Sequence, residues 1–478
     1  MPKLVTRFAP SPTGYIHVGN IRAALFPYLL SAKANGTMIL RIEDTDRARF
    51  VEGATQLIVD SLKWVGIEWN EGYLVGGDHG PYEQSQRKEI YLKYARQLIE
   101  QGKAYADPYT PEEIEDFRKQ AINNKVPFLY RNYRPENPPL WDGTKPLRLK
   151  VDPVATAWYD PIMGELSAGP EAQDDFILIK SDGLPTYNFA HVVDDYEMGV
   201  THVIRGLEYI SSIPKYLSLY QALGINPPVL ACMPHIMAPE GNKKLGKRDG
   251  AKSVTEYREQ GILPEAMMNF LASLGWNDGT DQEIYTKQEL IDKFSLEKVQ
   301  KSGARFDEKK LLWINGQWIR KLELEDLYQR VENYWPEQAK NFSKEYKLSV
   351  LAIAQDRLKT LSDLSDITAF FFDEPTIDAA LISENKQLSK LDKLELAKIL
   401  RKSVDKLIDI TNFDSTNIQL ALNQLLEELD LKPMVLFSIV RIATTWAAYS
   451  PELPASLAIL GKDKTIERLN NSADYLEK

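Results

Sequence analysis

Hydrophobic and polar positions along this chain fall into two regimes. Short apolar runs alternate with turns up to about residue 325, and longer helical stretches with few breakers follow. Residues 4–8 form an apolar, β-branched run that stops at Ala9-Pro10-Ser11-Pro12-Thr13-Gly14. Residues 21–30 have helical length and good helix formers despite Pro27, and residues 37–42 read as a second strand ending in the acidic cluster Glu43, Asp44 and Asp46. Strand, Gly/Pro turn, helix, strand is the opening unit of a parallel α/β sheet. Pro10 and Pro12 restrict the turn, while Gly14 and Gly19 let a ligand approach the backbone. Residues 176–180 and 201–204 are further strand-like runs, ending at Ser181-Asp182-Gly183 and Arg205-Gly206. Polar groups at such ends can converge on the C-terminal edge of one sheet.

Between these runs, residues 105–175 are turn-rich and interleave basic with aromatic side chains, as in YRNYRPENPPLWDG. That mix suits a single-stranded nucleic-acid end, through stacking and phosphate contact, and equally a solvated face. From residue 325 the pattern predicts an all-helical region, with long stretches at 349–361, 391–409 and 417–428, arranged as two small bundles divided near Asp373-Glu374-Pro375. Such an appendage serves either as a scaffold or as a holder for a large partner.

At 478 residues the chain should divide into about three domains. Its 44% hydrophobic and 26% charged content is that of an ordinary folded protein. The single cysteine, Cys232, excludes an intramolecular disulfide and every thiolate cluster drawn from this chain alone, which fits a reducing cytosol. MPKLVTRFAPSPTG lacks the apolar core of a signal peptide, and no run reaches the roughly 18 apolar residues of a membrane span. The expectation is a soluble cytoplasmic protein without a membrane partner. A net charge of -10 lowers the prior for a nucleic-acid partner, although a local basic groove can coexist with acidic outer faces.

Two segments carry candidate phosphate chemistry. Gly14-Tyr15-Ile16-His17-Val18-Gly19-Asn20 leads into a helix whose free N-terminal N–H groups can receive an anion. Lys243-Lys244-Leu245-Gly246-Lys247-Arg248 places four cations around a glycine, which would suit the β- and γ-phosphates of ATP, although such charge runs are more often solvated faces. Neither is a Walker loop, since GxxxxGK[ST] is absent.

The ordered series RFAPSPTGYIHVGN, RIEDTDRARF, SDGLPTYNFAHVVDDYEMGVTHVIRG, EYREQGILPEAMMNFLASLGW and ARFDEKKLLWINGQWIR resembles the bacterial-type glutamyl-tRNA synthetases, of class I, over nearly the whole chain. His17-Val18-Gly19-Asn20 is similar to the signature called HIGH, and Lys244-Leu245-Gly246-Lys247-Arg248 to the one called KMSKS. There are departures: Asn20 stands for the final histidine, Gly246 for a usual serine, Leu207 for a usual acidic residue, and His191 where several relatives use asparagine. The glutamyl-queuosine tRNA synthetases resemble only the catalytic half, so family-like blocks beyond residue 325 count against them. A catalytically weak tRNA-binding relative is the alternative from another class.

The resemblance implies an α/β Rossmann-type catalytic core at 1–104 and 190–240, with an α+β acceptor-end-binding insertion at 105–189. It further implies a stem-contact region with the ATP signature loop at 241–324 and helical anticodon-binding subdomains at 325–374 and 375–478. It assigns His17, Gly19, Asn20, Lys244, Lys247 and Arg248 to ATP, with His17, Lys244, Lys247 and Arg248 as the catalytic group. Arg7 and Arg205 are implied for the side-chain carboxylate of glutamate, with Ser11 and Tyr187 around the ligand, Glu43 near its α-ammonium and His191 at the variable polar position. Arg7 and Arg205 could instead form structural ion pairs with nearby acidic groups. The implied substrates are ATP accompanied by Mg2+, L-glutamate and tRNA-Glu, with tRNA-Gln a further candidate, and a monomer is favoured. Some relatives hold structural zinc in the insertion through cysteines, often with a tyrosine. The corresponding segments here, Ala104-Tyr105-Ala106-Asp107-Pro108-Tyr109 and Tyr130-Arg131-Asn132-Tyr133-Arg134, contain no cysteine, so the expectation is a zinc-free insertion held by packing and turns.

Overall fold

The computed structural model describes residues 3–14, 16–46, 48–241, 243–246, 252–447 and 449–478. It separates into two compact units, residues 1–257 with 264–308 and residues 258–263 with 309–478.

The first unit opens with β1 (Val5–Phe8), α1 (Val18–Lys33) and β2 (Thr37–Leu40), followed by α2 (Ala54–Val65), β3 (Glu71–Gly72) and α3 (Lys88–Glu100). An insertion comes next: β4 (Ala104–Ala106), α4 (Pro111–Asn123), β5 (Leu147–Leu149), the hairpin β6 (Thr156–Asp160) and β7 (Gly164–Ala168), and β8 (Ile177–Ile179). The chain then returns through α5 (Tyr187–Glu197), β9 (His202–Gly206), α6 (Ile213–Leu223) and β10 (Val229–Met233).

The main sheet has the order β10-β9-β1-β2-β3 and is parallel throughout. Its strands are short and apolar because helices cover both faces of such a sheet. From β1 the chain builds outward to β2 and β3 on one side and later to β9 and β10 on the other. The crevice at the C-terminal ends of β1 and β9 is therefore a topological switch point, where ligands of open α/β sheets bind. Helix α1 runs through Pro27 and is longer than the expected 21–30 because His17 caps its start.

The run at 176–180 does not join this sheet. Its strand, β8, lies in a separate antiparallel sheet of order β4-β5-β8 within the insertion. A run of three or four apolar residues carries no information about which sheet it will enter.

The second unit is helical. Its helices include Lys344–Ala354, Lys393–Ile408 and Ser415–Leu429. Ser343, Asp392 and Asp414 cap the three, each accepting from a backbone N–H at the N3 position. The helix expected at 349–361 instead spans Lys344–Ala354 and gives way to a 3-10 turn at Gln355–Arg357. One buried core runs from Ala339 through Phe370, Phe371 and Phe372 to Leu476, so no gap in packing marks residues 373–375. Across that point Arg468 donates to both carboxylate oxygens of Glu374, at 3.1 and 3.2 Å.

Candidate active site

A cleft of about 1160 Å³ opens at the switch point in the first unit. Its nucleotide-like end is built on the start of α1. His17 Nδ1 accepts the Gly19 backbone N–H at 3.1 Å, and the Asn20 side-chain oxygen accepts the His17 N–H at 3.1 Å, forming a reciprocal cap. With Nδ1 accepting, the neutral ring carries its proton on Nε2. A Cβ on residue 19 would stand 2.9 Å from His17 Cε1, so glycine here lets the ring fold over the helix start. The second signature segment is tied to the same place from both sides. Met237 pairs with Lys244, Leu245 N–H donates to the Ile236 carbonyl at 2.9 Å, and His17 bridges to Ser253. Lys244 Nζ lies 3.1 Å from Glu208, with both side chains about half exposed. Lys247 and Arg248 lie outside the described residues.

Behind the other end of the cleft is a buried ionic cluster. Arg41, fully buried, donates to Glu43 at 3.0 Å and to Asp195 at 2.9 Å. Arg7 donates through Nε and Nη2 to Asp195 at 3.1 and 3.4 Å, and Arg87 Nε donates to Asp194 at 2.7 Å. Three guanidinium groups thus face three carboxylates, which balances the cluster and satisfies the rule that buried charges are paired. Burial would push the Asp195 carboxyl up, but Arg7 and Arg41 more than reverse this and hold it well below its ordinary range. For Glu43 burial prevails over Arg41 and Arg7, and its pKa is raised.

Arg205 is different. It is 7% exposed, and its Nε and Nη1 atoms have no hydrogen-bond partner among the described residues; Nη2 donates to the Tyr187 hydroxyl at 3.4 Å. Its carbon Cζ lies over the rings of Tyr209 at 4.7 Å and Tyr216 at 5.1 Å. A buried cation lacking a carboxylate, in a cleft that also holds a carboxyl strained by burial, calls for a ligand carrying both an anionic and a cationic group. His191, 2% exposed, does not line the cleft. It packs beside Tyr187 at 5.0 Å, with Nδ1 3.7 Å from Asp195 and neither ring nitrogen hydrogen-bonded among the described residues. Burial, reinforced by Arg205, lowers its pKa to about 3, so the imidazole is neutral.

Ser11 is exposed on the cleft wall. Arg7, Glu43, Tyr187 and Arg205 line that cleft too, as do His17, Gly19, Asn20 and Lys244. The structural ion pair considered for both arginines is therefore made by Arg7 and not by Arg205. Sequence reasoning missed Arg41, Arg87, Asp194 and Asp195. The adjacent carboxylates in the otherwise apolar run Phe189-Ala190-His191-Val192-Val193-Asp194-Asp195 were the available signal.

In the insertion, the two segments where relatives place zinc meet through other chemistry. Asp107 accepts from the Tyr130 hydroxyl and from Arg148 Nε, both at 2.5 Å, while Asp175 accepts from the Tyr105 hydroxyl at 2.8 Å and from Arg134 Nε at 2.6 Å. These carboxylates face fixed donors, so they do not fit a metal, and ion pairs join packing and turns in holding the insertion. Among the described residues no three His, Cys, Asp or Glu side chains are grouped to hold a metal ion, and no helix is long and apolar enough to cross a membrane.

A parallel sheet with a capped helix start at its switch point, an insertion between its halves and a following helical unit is the architecture of a class I aminoacyl-tRNA synthetase. Residues 3–313 match the family model described as tRNA synthetases class I (E and Q), catalytic domain, and residues 326–473 match the anticodon binding domain. Over 98% of both chains it is 40% identical to glutamate–tRNA ligase 2 of Caldicellulosiruptor saccharolyticus. It is also 41% identical to the glutamate–tRNA ligase of Carboxydothermus hydrogenoformans, over 97% of this chain and 98% of that one. A crystal structure of a glutamate tRNA ligase from Elizabethkingia meningosepticum in complex with its amino acid superposes with a TM-score of 0.85 at 32% identity, covering 99% of this chain and 100% of the other. The chain belongs to the glutamate–tRNA ligase family.

Proposed function

We propose that this chain activates L-glutamate with ATP and transfers it to tRNA-Glu. A carboxylate oxygen of glutamate attacks the α-phosphorus in line and displaces pyrophosphate, leaving glutamyl-AMP. The 2'-hydroxyl of the terminal adenosine then attacks the mixed anhydride and displaces AMP. The protein contributes orientation and electrostatic stabilisation. The capped start of α1 and the His17 ring face the nucleotide. Lys244, Lys247 and Arg248 neutralise charge as pyrophosphate forms, so Lys244 exchanges Glu208 for phosphate. Mg2+ accompanies ATP through its phosphates and water.

The observation that carries the reading is Arg205, a buried cation in the cleft without an anion. Arg205 receives the side-chain carboxylate, Tyr187 and Ser11 flank the ligand, and Glu43 receives its α-ammonium. Arg7 acts on the ligand chiefly through the Asp195 cluster, and His191 borders the pocket as a neutral ring. The insertion at 105–189, free of zinc, covers the acceptor end, residues 241–324 contact the stem, and the helices from 325 onward hold the anticodon. The enzyme works in the cytoplasm as a monomer. Charging of purified tRNA-Glu with ATP and labelled glutamate tests the reading, and absence of charging by folded protein refutes it. A parallel assay with tRNA-Gln decides whether that tRNA is a second substrate.

A further inference from the structure

We propose that Tyr216, a residue of the helix α6 interior, is a positioning residue that sets the orientation of Arg205 and His191 for recognition of a side-chain carboxylate. This inference rests on the glutamate reading above. Tyr216 is 1% exposed and does not line the cleft. Its ring nevertheless meets Arg205, which lines the cleft, and His191 behind it: Arg205 Cζ lies 5.1 Å from its centroid, and the His191 ring stands perpendicular to it, centroid to centroid 4.5 Å.

The physical case is one of frustrated charge. In a dry site an arginine without an anion turns toward a nearby carboxylate, and here Asp195, whose charge Arg205 feels, is already engaged by Arg7 and Arg41. Tyr216 and Tyr209 offer the cation two aromatic rings instead, a stabilising seat that brings no second carboxylate, with the neutral Tyr216 hydroxyl adding a contact to Arg205. The guanidinium N–H groups point in its plane, so ring contacts leave Nε and Nη1 without an acceptor among the described residues. The same ring holds His191 beside Tyr187, whose hydroxyl already takes Nη2 of Arg205. One buried aromatic therefore fixes the arginine and the imidazole relative to each other.

The test compares Y216F, Y216L and Y216M with the wild type and with R205A. Glutamate binding is measured by calorimetry, and glutamate-dependent pyrophosphate exchange is measured with tRNA present. Y216F keeps the ring and loses only the hydroxyl contact, so its glutamate binding should fall no more than roughly threefold. Y216L and Y216M should weaken glutamate binding and raise its KM roughly 10- to 30-fold, the loss of one desolvated cation–π contact. KM for ATP should stay within about twofold, and the preference for glutamate over glutamine should shrink. A merely structural role would lower Tm without separating the two substrates. Unchanged glutamate binding in either folded leucine or methionine variant, or equal losses for glutamate and ATP, overturns the proposal. If R205A is impaired while these variants are not, the positioning role alone fails. If the wild type shows no glutamate-dependent exchange, the functional reading beneath it fails first.

Discussion

Arg7 and Arg205 both stand on central strands of the sheet and both line the cleft, yet their removal should move stability in opposite directions. In R7M, Asp195 loses one of its two guanidinium partners in a fully buried setting. Breaking a buried pair costs about 3–5 kcal/mol, and with Arg41 still in place the loss should be about 2–4 kcal/mol. R205M removes a buried cation that has no carboxylate partner, and replacing buried charge by an apolar side chain is neutral to stabilising. The rings of Tyr209 and Tyr216 offset part of that gain, so the variant should be between equally stable and about 2 kcal/mol more stable than wild type. Activity should follow the reverse order for R205M. Loss of two charge-assisted hydrogen bonds, at about 1.5–3 kcal/mol each, lowers kcat/KM for glutamate roughly 150- to 25,000-fold. Scanning calorimetry on both variants, paired with pyrophosphate exchange in the presence of tRNA, measures both quantities. If R205M melts as far below wild type as R7M does, or keeps kcat/KM for glutamate within tenfold, the unpaired-cation argument is wrong. Stability held back by a binding residue is the expected cost of a preorganised site.

Three further outcomes can be checked independently. Because His191 titrates near 3 when folded and near 6.5 when unfolded, the unfolded chain binds the extra proton between these values; stability therefore rises with pH across that window and is fully present above it. H191N should flatten this part of the Tm-against-pH curve, and an unchanged slope would show that the ring is not buried neutral. G19A should push the His17 ring off the helix start and raise KM for ATP roughly tenfold, about the contribution of one hydrogen bond, with KM for glutamate unaffected. Treatment of carefully purified enzyme with a zinc chelator, followed by assay with Mg2+ restored, should leave aminoacylation intact, whereas D175A should destabilise the insertion by about 3 kcal/mol through its stranded arginine; stoichiometric zinc, lost together with activity, contradicts the zinc-free expectation.

Local features of this molecule were legible in its sequence because their causes are local. The first strand, the Gly/Pro turn and the helix after His17 follow from a few adjacent residues, and the cap joins His17, Gly19 and Asn20 within one turn. Helical character beyond residue 325 likewise follows from spacing and capping, and the ordered family-like blocks indicated the chemistry. Tertiary structure alone decided which sheet residues 176–180 enter, and that the core of the second unit continues across 373–375. It also separated two arginines that look alike in sequence. Arg7 finds Asp195 across 188 positions of chain, while Arg205, ten residues after Asp195, feels its charge without an ion pair to it. Pairing in a buried site depends on which other groups have already claimed each carboxylate, and that competition exists only once distant strands and helices are packed together.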